Sequence, residues 1–234
     1  LTAVNRISFK LNKGETLALV GESGCGKTVS ALSILRLLPE PPAEISSGKI
    51  LLSGQNLLSL NAKDLRDIRG HSISMIFQDP MTALNPVLSI GEQMVETFLR
   101  HTDLKRKEAL QKSVDLLSRV EIPSPKEKLK YYPHQLSGGM RQRVMIAMSL
   151  ACSPRLLIAD EPTTALDVLT QAQILELLES LKKENGMSIL IITHDLGVVA
   201  EIAQRVLIMY AGEIVESGPA RALLDNPLHP YTKG

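Results

Sequence analysis

Tryptophan is absent from this chain, and aromatic residues make up 3% of its 234 residues. So sparse a set offers few platforms on which the bases of a single-stranded nucleic acid could stack. An excess of either charge is missing too: 26 Lys+Arg stand against 25 Asp+Glu. Without a basic balance there is no bulk electrostatic footprint for nucleic acid, and none is expected as a partner. The two cysteines, Cys25 and Cys152, are far apart and form no C-x-x-C pair. That excludes the usual thiolate metal sites and redox couples and suits a reducing, cytoplasmic setting. No apolar run approaches the about 20 residues that cross a bilayer, and the first residues carry no secretory-signal pattern. Any link to a membrane is therefore expected to run through a partner. At this length the chain can bury a substantial core, as one large domain or two small ones.

What is present starts with Gly21-Glu22-Ser23-Gly24-Cys25-Gly26-Lys27-Thr28, which fits G-x-x-x-x-G-K-[ST]. The apolar strand Thr16 to Val20 runs into it, and Val29 to Leu38 follows with helical spacing, the context that this P-loop pattern needs. Gly21, Gly24 and Gly26 let the backbone, with Ser23 and Cys25 between them, fold into a nest of N–H groups facing an anion, helped by the positive end of the next helix. Lys27 would bring a full charge to the β- and γ-phosphates, and the Thr28 hydroxyl would ligate Mg²⁺. The expected ligand is a nucleoside triphosphate. Cys25 reads as a small residue in place of serine, without redox duty.

Elsewhere, strands are expected at Ile7 to Leu11, Gly48 to Leu52, Ser72 to Phe77, Arg155 to Asp160 and Met187 to Thr193, from alternating or continuous apolar runs. Arg205 to Met209 and Glu213 to Val215 read as a hairpin turning at Ala211-Gly212. Helices are expected at Ala62 to Arg69, Ile90 to Arg100, Lys105 to Val120, Arg141 to Ala151 and Leu169 to Lys183. Strands alternating with helices imply an α/β fold with a largely parallel sheet covered on both faces. From Asp79 to Pro133 the texture becomes helical and proline-rich, as an insertion into that core would be. Lys105-Arg106-Lys107 reads as a solvated helix start.

Asp160-Glu161 closes an apolar strand, where the first carboxylate helps hold Mg²⁺ in P-loop proteins and a second can orient or deprotonate the attacking water. Leu136-Ser137-Gly138-Gly139-Met140 precedes a helix. Ser137 could be an N-cap with the glycines in a turn, or Ser137, Gly138 and Gly139 could form a second phosphate site, and spacing alone leaves the two level. Gln78 could be an ordinary strand-end amide and His194 a cap for the following helix; their information lies in order and spacing.

Taken in order, the P-loop, Gln78, Leu136 to Met140, Leu156 to Glu161, Thr164-Ala165-Leu166-Asp167 and His194 resemble the nucleotide-binding subunit of an ABC transporter, over nearly the whole chain. The strings Gln78 to Pro86, Asp160 to Val168 and Asn226 to Thr232 resemble the oligopeptide, dipeptide and nickel importer branch. The resemblance implies a single P-loop ATPase domain over 1–234, with a mainly parallel sheet, an antiparallel β part and an inserted helical subdomain. The core would take 1–77 and 154–234, and the helical subdomain about 78–153. It further implies ATP and Mg²⁺ as ligands, with Gln78 and Asp160 joining Thr28 at the metal, Glu161 as general base, and His194 and Lys27 at the γ-phosphate.

The same resemblance implies a second ATPase subunit, identical or different, paired head to tail so that Ser137 to Gly139 of one closes the ATP of the other. Two membrane-spanning permease subunits would hold the pair at the cytoplasmic face of the cell membrane, fed indirectly by an extracytoplasmic solute-binding protein. The cargo would be peptides, or alternatively nickel or another small solute; a non-transport ATPase of the family fits less well, because the interval from Gln78 to Leu136 is short and the motifs occur once. The adenine-stacking aromatic of the family would fall before Leu1, so Phe9 is not given that role. Both ends are expected to be truncated, no iron–sulfur cluster is supported, and Met140 replaces the commoner Gln.

Overall fold

The computed structural model describes residues 2–79, 83–164 and 166–233. The strands are β1 (Thr16–Val20), β2 (Leu51–Leu52), β3 (Gln55–Asn56), β4 (Ile73–Ile76), β5 (Leu156–Asp160), β6 (Ser188–Thr193), β7 (Arg205–Tyr210) and β8 (Glu213–Pro219). The helices are α1 (Lys27–Ile34), α2 (Ala62–Ile68), α3 (Ile90–His101), α4 (Arg106–Arg119), α5 (Pro125–Lys128), α6 (Gly138–Leu150), α7 (Val168–Asn185), α8 (Leu196–Ile202), α9 (Ala220–Asp225) and α10 (Pro230–Lys233). A six-stranded sheet runs in the order β4-β5-β6-β1-β7-β8. Its pairings are parallel up to β7, and β7 meets β8 antiparallel across the Ala211-Gly212 turn.

From β5 to β7 both faces of the sheet are dry. Ala18, Val20, Leu157, Ala159, Ile189, Ile191, Val206 and Ile208 point into one apolar cluster, and Leu17, Leu19, Ile158, Leu190, Ile192, Leu207 and Met209 point into another. This is the period of two read on two buried faces, which is why these strands show as continuous apolar runs. Helix α1 covers the second face through Ala31, with Leu35 just beyond its end. The first face is covered by α7 through Ile174, Leu175 and Leu178 and by α8 through Val198 and Val199.

Between β4 and β5 the chain is helical. Helix α3 starts with a capping box, Ser89 and Glu92 each satisfying the other's backbone amide. Its next two free amides, Ile90 and Gly91, donate to the carbonyls of Tyr131 and Leu129 at 2.8 Å each. A Cβ at residue 91 would stand 2.8 Å from the Leu129 oxygen, so glycine sets how closely α3 meets the end of α5. Ile90, Met94, Val95 and Phe98 then face inward.

Two expected strands come out differently. Ile7 to Leu11 joins no ladder, although Ile7, Phe9 and Leu11 pack on the second apolar cluster while Ser8 and Lys10 face solvent. Alternation there marks one wet and one dry side rather than pairing. Of Gly48 to Leu52, only Leu51–Leu52 pairs, with Gln55–Asn56.

Candidate functional site

The sheet register sets the site. Val20 lies opposite Thr193, and Asp160 lies opposite Ile192. The P-loop after β1, Glu161 after β5 and His194 after β6 therefore leave the sheet level with one another, at the carboxyl edge where ligands of open α/β sheets bind. Gln78 follows β4 at the same edge.

The P-loop is shaped by what it touches. A Cβ at residue 21 would stand 2.2 Å from the Met209 carbonyl oxygen, so the loop can lie against β7 only with glycine there. Gly26 caps α1 at φ 108 with no side-chain hydrogen bond. A Cβ at that position would meet the Ala3 carbonyl at 2.6 Å. The first turn of α1 carries no acidic residue, so its free amides are left for an anion. The Gly212 amide of the hairpin turn donates to the Cys25 carbonyl at 3.0 Å. Ser23, Gly24 and Thr28 stand exposed, while Gly21, Cys25, Gly26 and Lys27 are buried. The Lys27 ammonium donates to the carbonyls of Gly21 at 2.7 Å and Glu22 at 2.8 Å.

Three side chains converge on Glu161. Gln78 Nε2 donates to its Oε2 at 3.0 Å, Thr164 Oγ1 donates to the same oxygen at 2.8 Å, and His194 Nδ1 lies 3.1 Å from Oε1. A carboxylate only accepts, so His194 presents its proton on Nδ1. Burial pushes the Glu161 carboxyl up, but the hydrogen bonds of Thr164 and His194 and the charges of His194 and Lys27 outweigh it and hold it below its ordinary value. Its backbone sits at φ 46, a left-handed position that costs a non-glycine residue about 1 kcal/mol or more. The conformation is fixed by the Glu161 amide on the Ile192 carbonyl at 2.9 Å and the Thr164 amide on the Glu161 carbonyl at 3.2 Å.

Asp160 is 2% exposed, and its Oδ1 has no hydrogen-bond partner. Burial pushes its carboxyl above the ordinary value; the Thr28 hydroxyl hydrogen bond and Lys27 pull it back, and Glu161 adds to the rise. A buried carboxylate oxygen without a partner is costly unless something cationic completes it. Among the described residues no cluster of three or more His, Cys, Asp or Glu is placed to hold a metal ion. Asp160 and Thr28 together fit Mg²⁺, a cation that takes one or two protein oxygens and fills its shell with phosphate and water.

Ser137, Gly138 and Gly139 lie elsewhere. Ser137 is the N-cap of α6, its Oγ accepting from the Met140 amide at 3.3 Å, and both glycines belong to the first helical turn rather than to a preceding turn. Ideal Cβ atoms there would come nearest Leu166 at 4.0 Å and Thr170 at 3.0 Å. The two glycines therefore face Leu166 and the start of α7. Pro80, Met81 and Thr82 of the importer-branch string and Ala165 of the Thr164 to Asp167 motif lie outside the described residues.

Two contacts at the site have no clear signal in the sequence. Thr164 clamps the Glu161 carboxylate, and Gln142 of α6 donates to the Pro162 carbonyl at 2.6 Å, tying the Ser137 helix to the loop after Glu161. A threonine three residues after an acid is a common turn feature, and nothing in sequence marks Gln142.

The ABC transporter family profile matches residues 4–164. The chain is 56% identical over 232 residues to the dipeptide transport ATP-binding protein DppD of Bacillus subtilis (strain 168), covering 99% of this chain and 69% of that protein. It is 53% identical over 234 residues to the oligopeptide transport ATP-binding protein AppD of the same organism, covering 100% of this chain and 71% of that protein. Among solved structures, the dimeric ATP-binding cassette MJ0796, in a post-hydrolysis state bound to ADP and Pi, superposes with a TM-score of 0.82. The identity to it is 28%, over 94% of this chain and 91% of that one. The structure of cbiO1 from Clostridium perfringens, part of the ABC transporter complex cbiONQ, gives a TM-score of 0.81 at 29% identity, over 96% of this chain and 84% of that one.

Proposed function

The chain belongs to the ABC transporter family, and from that premise we propose that it is the ATP-hydrolysing subunit of a peptide importer. It would work in a head-to-tail pair of ATPases at the cytoplasmic face of the cell membrane, beneath two permease subunits supplied by an extracytoplasmic binding protein. Peptide cargo is supported by DppD and AppD, whose names specify dipeptide and oligopeptide transport. Nickel or another small solute is the alternative within the branch. No helix among the described residues is long and apolar enough to cross a membrane, which suits a subunit held there by others.

The observation that carries the ATPase reading is the meeting of Gln78, Thr164 and His194 on one carboxylate beside the P-loop. In this reading the amides of Gly24 to Thr28 take the phosphates, and Lys27 moves from the Gly21 and Glu22 carbonyls to the β/γ oxygens. Thr28 and Asp160, with Gln78, would hold Mg²⁺, which would supply charge neutralisation for the triphosphate. Glu161, kept ionised by its neighbours, takes a proton from the attacking water. His194 spends Nδ1 on Glu161 and turns its other nitrogen to the γ-phosphate. Ser137, Gly138 and Gly139, on a helix start with free amides, serve the nucleotide of the partner subunit. Val168 and Leu169 stand 85% and 70% exposed beside that turn, an apolar rim that suits a covering partner. Core (1–77 and 154–234) and helical unit (about 78–153) would move against each other as the pair closes.

The test is Glu161→Gln. It should keep ATP affinity, lose hydrolysis by on the order of 100-fold or more and accumulate a closed pair with ATP, seen by light scattering. Undiminished turnover would remove Glu161 as the base.

A further inference from the structure

The P-loop is held on one limb by a residue far from any nucleotide motif. Tyr231, in α10, is half-buried, and its phenol oxygen accepts a hydrogen bond from the Glu22 amide at 3.0 Å. Its ring lies against that of Tyr210, at the end of β7, with centroids 4.7 Å apart and planes at 44°. The segment that brings it there is fastened to β8: the Leu228 and His229 amides donate to the two carboxylate oxygens of Glu216 at 2.9 and 3.0 Å. Within the segment, the Tyr231 amide donates to His229 Nδ1 at 3.2 Å and the Thr232 amide to the His229 carbonyl at 3.0 Å. Glu22 thus has its amide on Tyr231, while its carbonyl takes the Lys27 ammonium at 2.8 Å and the Cys25 amide at a longer 3.3 Å.

The two holds on Glu22 differ in one respect. Lys27 is the residue that the P-loop reading sends to the phosphates, so its bonds to Gly21 and Glu22 are lost when nucleotide arrives. Tyr231 has no such competing duty. Burial pushes its phenol up, so the group stays neutral and its oxygen stays available as an acceptor. We propose that Tyr231 is a positioning residue for nucleotide binding: it keeps the entering limb of the P-loop in its anion-ready shape while Lys27 changes partners. The proposal deepens the nucleotide-site reading above and rests on it. The physical gain is preorganisation, since a loop already in its bound shape loses less conformational freedom on binding.

Tyr231→Phe in the purified full chain removes the oxygen and keeps the ring on Tyr210. Without nucleotide, the Glu22 amide should exchange with deuterium faster. The ATP dissociation constant should rise about three- to tenfold, the scale of one ordinary hydrogen bond, and kcat should stay within about twofold because the reacting atoms are untouched. Glu216→Ala, which unfastens the segment from β8, should weaken ATP binding in the same direction. The double variant should fall short of the sum of the two effects, because both act through one strap. Unchanged Glu22 exchange in Tyr231→Phe would refute the bond, and faster exchange with unchanged ATP affinity would refute its role. Lys27→Ala is the control on the underlying reading: if it binds ATP like the parent, the P-loop assignment is what has failed.

Discussion

Asp160 and Glu161 are neighbours whose surroundings push them in opposite directions. Glu161 is held below its ordinary value, so its contribution to folding is present at neutral pH and lost as pH falls through its folded value. Asp160 is raised, so the folded chain binds its proton more tightly than the unfolded chain, and its burial lowers stability as pH rises between the two values. Asp160→Asn should therefore melt at the same temperature as the parent or higher near neutral pH. The difference should shrink towards about pH 4, where the ordinary carboxyl protonates. The same variant should lose the extra melting temperature that Mg²⁺ gives in the presence of ATP, and calorimetry across pH reads both. That these acids end an apolar strand was legible in sequence. Their opposite shifts were not, because they depend on burial in the folded chain and on His194 and Thr28 arriving from separate stretches.

Single elements were legible where one periodicity dominated. The expected spans and the observed α2, α3, α4, β5 and β6 agree to within a residue or two; α3 and α4 each bury one face, and β5 and β6 are buried almost throughout. Ile7 to Leu11 misled because burial of alternate residues does not require a partner strand. At the second motif both readings of Ser137 rested on a helix start, and its role as N-cap is compatible with either. The start of α1 carries its own prediction. Gly26→Ala forces a side chain into φ 108 and against the Ala3 carbonyl and Met209 Cε at 2.6 and 2.8 Å. The variant should lose about 1–3 kcal/mol, seen as a melting temperature lower by several degrees. It should also bind ATP more weakly because the cap and the phosphate nest are one stretch of backbone.

At the scale of the molecule, the proposed head-to-tail pair gives the Ser137 turn to the nucleotide of the partner subunit. Gly139→Asp should therefore leave ATP affinity of the isolated chain unchanged while reducing hydrolysis by on the order of 100-fold. It should also prevent the ATP-dependent pair seen with Glu161→Gln; weakened binding in the isolated chain would instead place the turn at its own nucleotide.

The sheet order has a further outcome during synthesis. β1 lies at 16–20, yet both strands that flank it, β6 and β7, lie at 188–193 and 205–210. At about 5–20 residues per second, a ribosome works for many seconds between delivering the glycine-rich stretch and delivering its supports. The nascent chain should thus be unable to capture nucleotide until translation has passed Tyr210, and arrested chains of increasing length would acquire that ability in one late step.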